Sequence, residues 1–213
     1  MKIGIIGAGH IGGALTRRLT QLGHEVTVAN SRGPGTLTGL AAETGAFAGT
    51  VTDAATDKEV VIVTIPEKSV PELPKGLFEH SRAIIVDTGN YYPQRDGRIG
   101  PIESGTTESR WVSQQLGHPV VKAFNTILSN HLLNDGRPPG DRERIALPVA
   151  GDDPNAKAVV SRLIDDLGFD AVDAGGLDDS WRQQPGTPVY GADLPADAAR
   201  RALSEAKRST ARA

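Results

Sequence analysis

The sequence predicts an α/β fold: a doubly wound, mostly parallel sheet with a short C-terminal extension. Three observations predict it. Short apolar runs rich in β-branched residues recur along the chain, and stretches with helical spacing separate them. Strands divided by helices pair in parallel, because each crossover returns the chain to the same end of the sheet. Val60 to Ile65 is β-branched throughout and apolar but for Thr64, as a strand covered on both faces should be. The 213 residues suffice for one good core, or one core with an appendage. A content of 38% hydrophobic and 23% charged residues is that of an ordinary globular chain.

Taken in order, the elements begin with a strand from Lys2 to Ile6. A helix follows from about His10, with Ile11, Ala14, Leu15, Leu19 and Leu22 on one face, and stops near Gly23. Glu25 to Ala29 is the second strand, Thr36 to Thr44 a short helix, and Ala46 to Val51 a weak strand. Ala83 to Val86 and Val120 to Phe124 repeat the buried-strand pattern, and the helix Thr107 to Leu116 turns Trp111, Val112 and Leu116 inward. Ala146 to Ala150 and Phe169 to Ala174 are the last strands. The helix between them is the best marked in the chain. Asp153 caps it, Pro154 suits its first turn, and Ala156, Val159, Val160, Leu163, Ile164 and Leu167 form its stripe. Gly168 ends it. Residues 89–105 form a long loop, a length that often marks function. After Gly175 the chain turns polar and loop-rich, with a short helix around Ala198, Ala199, Ala202, Leu203 and Ala206 and a frayed end from Lys207 to Ala213.

Composition excludes several classes of function. A formal charge of −3 gives no basic field for nucleic acid, so no nucleic-acid partner is expected. With no cysteine there is no disulfide, thiol nucleophile or thiolate metal site, which suits a cytoplasmic protein. No apolar run approaches a membrane span, and the stretch after Met1-Lys2 is too short and glycine-broken for a signal core. His10, His24, His80, His118 and His131 show no metal-ligand spacing, so no metal is expected.

Gly7-Ala8-Gly9-His10-Ile11-Gly12 stands between the first strand and the first helix, and that context makes the glycine pattern specific. Gly7 permits a tight turn, Gly9 lets backbone approach a diphosphate, and Gly12 lets helix and strand pack closely. The diphosphate then rests on the free N–H groups and positive end of the helix. The fold is therefore of the Rossmann type, with a dinucleotide-binding unit over residues 1–175 and the extension over 176–213.

The second strand ends Val28-Ala29-Asn30-Ser31-Arg32, with no carboxylate for a ribose 2′-hydroxyl. Asn30, Ser31 and Arg32 offer an amide, a hydroxyl and a guanidinium fork, which suit a 2′-phosphate, so the expected cofactor is NADP. Ligands of open α/β sheets lie outside the carboxyl ends of the strands. Thr64, Ile65 and Pro66 are thus placed by the nicotinamide ribose and Asn125 by its ring. Asp87 and Asn90 read equally well as turn formers.

On these residues the sequence resembles the F420:NADP oxidoreductases, the NADP-dependent coenzyme F420 reductase family. The matching segments are the glycine turn, Asn30-Ser31-Arg32, Val63-Thr64-Ile65-Pro66, Val121-Lys122-Ala123-Phe124-Asn125-Thr126-Ile127, Pro148-Val149-Ala150-Gly151-Asp152-Asp153 and Asp173-Ala174-Gly175-Gly176-Leu177. The resemblance implies hydride exchange between NADPH and the deazaflavin ring of F420, chemistry that asks the protein mainly to align two rings and exclude water. No catalytic side chain is assigned. The segment from Leu177 and the loop Asp87-Thr88-Gly89-Asn90-Tyr91-Tyr92 depart from the family, so the chain reads as a divergent branch.

Aromatic residues make up only 4% of the chain, yet Tyr91, Tyr92, Trp181 and Tyr190 gather in its two loop-rich stretches, where they stack on a ligand or pack an interface. Three readings stay open: a reductase of F420 or a flavin-like carrier, a reductase of a small carbonyl or imine with a proton donor among Tyr91, Tyr92, Tyr190 and His131, and a non-catalytic NADP(H) sensor. The partners expected are a small-molecule redox acceptor and a second copy of the chain, because the tail reads as too polar to bury itself.

Overall fold

The computed structural model describes residues 1–208. Six parallel strands form the main sheet: β1 (Lys2–Ile6), β2 (Glu25–Ala29), β3 (Phe47–Ala48), β4 (Val60–Val63), β5 (Ile84–Asp87) and β6 (Val120–Lys122). Their order is β3-β2-β1-β4-β5-β6, so the winding reverses beside β1 and opens a crevice at the carboxyl edge. Ile5 stands opposite Val28 on one side and Ile62 on the other.

Alternation along β4 sends Ile62 into one core layer and Val61 and Val63 into the other. The first layer is closed by α1 (His10–Gln21) and by the helix Pro154–Asp166, through Leu15, Leu19, Val160, Leu163 and Ile164. The second is closed by the helix Glu108–Leu116, through Trp111 and Val112, and by Phe78. Each fully buried aliphatic side chain contributes about 1.5–3 kcal/mol.

Several expectations change in detail. The weak strand shrinks to Phe47–Ala48, and Val51 instead opens a short helix (Val51–Ala55), because Thr50 and Asp53 form a reciprocal capping box. That helix lies so close to β1 that a Cβ on Gly4 would stand 1.7 Å from the Ala54 carbonyl oxygen. The loop at 89–105 contains two single-turn helices, Pro93–Asp96 and Gly100–Glu103, and a further helix, Ser129–Asn134, follows β6. Strand β6 stops at Lys122, and Phe124 takes the left-handed region at φ 61°.

The last two strands, β7 (Ala146–Val149) and β8 (Asp170–Asp173), form a separate parallel pair, joined to β6 by an antiparallel bridge between Lys122 and Ala150. The C-terminal tail buries itself against this pair. Val189 and the helix Ala196–Glu205, through Ala199, Ala202 and Leu203, pack on Ala146 and Val172. That removes the ground on which a second copy was expected. The frayed end expected from Lys207 lies, for residues 209–213, outside the described residues. No helix among the described residues is long and apolar enough to cross a membrane.

Candidate active site

The three glycines of the turn do different work. Gly7 takes φ 113°, and a Cβ there would lie 2.5 Å from Thr64 Oγ1. A Cβ on Gly12 would lie 1.9 Å from the Gly7 carbonyl oxygen. Both are glycine because protein backbone occupies the space. Gly9 has nothing within 4 Å of its missing Cβ. It is the N-cap of α1 without any side-chain cap, and Gly13 N–H is the donor that closes on its carbonyl, at 2.8 Å. Amides earlier in the turn are left for an external acceptor. Beside them lies an open groove of about 470 Å³ lined by Ala8, Gly9, His10, Arg17, Ser129 and Asn130.

Thr64 fastens the turn by donating its hydroxyl to the Gly7 carbonyl at 2.7 Å, while Gly7 N–H donates to Ala29 at 2.8 Å. Ile65 packs into the second core layer and Pro66 precedes a 3-10 helix, Glu67–Glu72. Ala8 and Ile11 pack against the first layer, and His10 is exposed. At the end of β2, Asn30 accepts from Arg32 N–H and donates to Thr36 Oγ1, both at 2.9 Å, which shapes the loop. Ser31 and Arg32 are exposed there. The structure thus gathers the turn with Thr64, and puts Asn30 to Arg32 at the carboxyl end of the neighbouring strand.

Asn125, 4% exposed, joins the loops at the other end of the crevice. It donates to Asn90 Oδ1 at 3.0 Å and to the Gln183 carbonyl at 2.7 Å, and accepts from Gln183 Nε2 at 2.9 Å. Tyr92 and Tyr190 share a short hydrogen bond between their hydroxyls. Burial, and then that bond, raise the pKa of Tyr190. Tyr91 is buried, with its hydroxyl committed to Gly97 O, Glu103 and Ile99 N–H, so it packs the loop and is removed as a proton donor. Trp181 stacks with the guanidinium of Arg182, 4.6 Å from its ring centre. His131 Nδ1 meets Asp193 Oδ2 at 2.5 Å.

Below this edge lies a buried charge cluster that sequence reasoning missed. Lys122 has no exposed surface; its ammonium binds Asp87 Oδ2 at 3.1 Å and the Gly89 carbonyl. Asp87 also accepts from Gly89 N–H at 2.8 Å and Ser109 Oγ at 2.7 Å, which makes it structural. Burial alone would lower the Lys122 pKa, but Asp87, Glu108 and Glu67 outweigh it and raise the value. Glu67 is wholly buried, and no hydrogen bond reaches its carboxyl oxygens among the described residues. Burial, and secondarily the charge of Asp87, push its pKa well above the ordinary carboxylate range.

Residues 2–91 match the family model described as NADP oxidoreductase, coenzyme F420-dependent. Over most of its length the chain is similar to the protein SMa0349 of Sinorhizobium meliloti: 33% identity, 92% of this chain and 97% of that one, TM-score 0.76. A chain from Arthrobacter sp. FB24, named provisionally as an F420-dependent NADP reductase, is 25% identical over 85% of this chain and 87% of its own, with TM-score 0.68. YjhV of Escherichia coli (strain K12) is 47% identical over 76 residues, which are 36% of this chain and 56% of that protein. With its six-stranded Rossmann sheet and its glycine turn, the chain belongs to the family of F420-dependent NADP oxidoreductases.

Proposed function

We propose that this chain binds NADPH along the carboxyl edge of the sheet and serves hydride transfer to a second, planar acceptor. The observation that carries the reading is the open space at Gly9. Where Gly7 and Gly12 answer to neighbouring backbone, Gly9 answers to nothing in the protein, and it stands where helix amides face outward. The amides of Ala8 to Gly12 would hold the diphosphate, with Asn30, Ser31 and Arg32 at the 2′-phosphate. Thr64, Ile65, Pro66 and Asn125 would border the nicotinamide end. Bound there, the dinucleotide supplies a hydride from its nicotinamide ring. The protein's share is alignment and exclusion of water, for which the Asn90–Asn125–Gln183 network holds three loops in fixed relation.

Family membership favours F420 or a flavin-like carrier as acceptor. A small carbonyl or imine is the second reading, favoured by the hydroxyl pair of Tyr92 and Tyr190. The cysteine-free composition suits work in a reducing cytoplasm. The test is steady-state NADPH oxidation with F420, FMN, FAD and a panel of imines and ketones, on wild type and Gly9→Val. Turnover with a deazaflavin or flavin carrier is expected in wild type. It should be lost in Gly9→Val, whose thermal melt should fall only slightly, because no protein atom lies within 4 Å of the new Cβ and the remaining cost is that of a poorer N-cap. Turnover confined to small carbonyls or imines selects the second reading. Normal NADPH binding by Gly9→Val sinks the proposal.

A further inference from the structure

Two phenols bridge the segments that border the crevice beyond β5 and β6. Tyr92 lies just past the end of β5; Tyr190 belongs to the C-terminal extension. The extension is pinned at this spot. Gly191 N–H donates to the Thr126 carbonyl at 2.9 Å, Asp193 meets His131, and Gln183 binds Asn125. By the rule that places ligands at the carboxyl ends of the strands, the hydroxyl pair stands where a hydride acceptor would lie.

Each hydroxyl has one proton. One of the two closes the bond between them, so the other O–H is not used by the pair itself. The charged and titratable groups that act on Tyr190 are Tyr92, Glu108 and Arg95. Burial, Tyr92 and Glu108 all favour its neutral, donating form, and Arg95, whose guanidinium lies 5.1 Å from the centre of the Tyr92 ring, opposes them without prevailing.

We propose that the Tyr92–Tyr190 pair is the proton donor to the hydride acceptor. The acceptor is therefore one that takes hydride at carbon and negative charge at a conjugated oxygen or nitrogen. A carbonyl, an imine and a deazaflavin ring share this chemistry. As the new C–H bond forms, the π pair of the C=O or C=N bond moves onto the heteroatom. The O–H bond of Tyr190 breaks and its proton bonds to that heteroatom. The proton of Tyr92 then passes to the Tyr190 oxygen, and water reprotonates Tyr92. The acceptor is reduced by one hydride and one proton, and the reduced nicotinamide is oxidised.

The proposal rests on the hydride-transfer reading above, and its test separates the two. Tyr190→Phe, Tyr92→Phe and the double variant are compared with wild type in NADPH calorimetry, in turnover against pH with F420 and with the carbonyl and imine panel, and in alkaline titration of tyrosinate absorbance without nucleotide. Tyr190→Phe should bind NADPH as wild type does and lose about a hundredfold in turnover. Tyr92→Phe should lose less, and should move the ionisation of Tyr190 down toward that of an ordinary tyrosine. The acceptor arm in which the loss appears identifies the substrate. Wild-type turnover by Tyr190→Phe with intact NADPH binding overturns the proposal and leaves hydride transfer standing. A wild type that binds no NADPH overturns both.

Discussion

Replacing Lys122 by Met removes an ammonium with no exposed surface from the Asp87 carboxylate, 3.1 Å away, and from the Gly89 carbonyl. Methionine is unbranched and adaptable, so the change is chiefly electrostatic and leaves little cavity. Asp87, 2% exposed, keeps Gly89 N–H and the Ser109 hydroxyl, but its charge is left buried without a counter-ion. Removing one partner of a buried pair costs about 3–5 kcal/mol. A chain of 213 residues loses about 2–4 °C of Tm per kcal/mol, so the melt should fall by roughly 6–20 °C. Asp87→Asn in the same background should restore part of the loss, because the orphaned charge is gone. Glu43→Gln, which breaks an exposed pair with Arg17, should have a far smaller effect. Urea unfolding followed by circular dichroism reads each change as a shift of midpoint at constant slope. A Lys122→Met midpoint as close to wild type as that of Glu43→Gln would refute the reasoning.

Three further outcomes are expected. Glu67 has its folded-state pKa raised, so its contribution is full below the unfolded value and is lost as pH rises through the folded one. Glu67→Gln should flatten that decline in urea midpoints measured upward from the ordinary carboxylate range, and parallel profiles would show that burial does not raise this carboxyl's pKa. Gly12→Ala forces a methyl to within 1.9 Å of the Gly7 oxygen and should cost about 1–3 kcal/mol in stability, read by thermal melting; an unchanged melt would mean that helix and turn are not in contact. Arg32→Ala should weaken NADPH by about 1.5–3 kcal/mol and leave NADH nearly unaffected, and equal losses would show that this guanidinium does not read the 2′-phosphate.

The main sheet was legible because its strands are apolar on both faces and its helices carry clear caps: Asp153 accepts from Asn155 N–H and Gly168 takes φ 93°, as expected for the helix between them. The Val51–Ala55 helix was hidden by an apolar start that passes for strand, although its Thr50-x-x-Asp53 cap was a readable signal. Lys122 also left a signal. A lone ammonium inside Val120-Val121-Lys122-Ala123-Phe124 must find an acid, and Asp87 ends the preceding strand. Nothing local marks Glu67, whose raised pKa comes from burial among residues distant in sequence. The Tyr92–Tyr190 bond and the Asn125–Gln183 pairing join residues 98 and 58 positions apart, which single-sequence periodicity does not connect. Polarity misled at the tail, where two small alanines and a single leucine suffice to bury the last helix.

Calorimetric titration of the wild-type protein with NADPH, and in parallel with NADH, tests the central claim most directly. Saturable binding of both, tighter for the phosphorylated nucleotide, is the predicted result. No heat of binding from either nucleotide, or a preference for NADH, would contradict it.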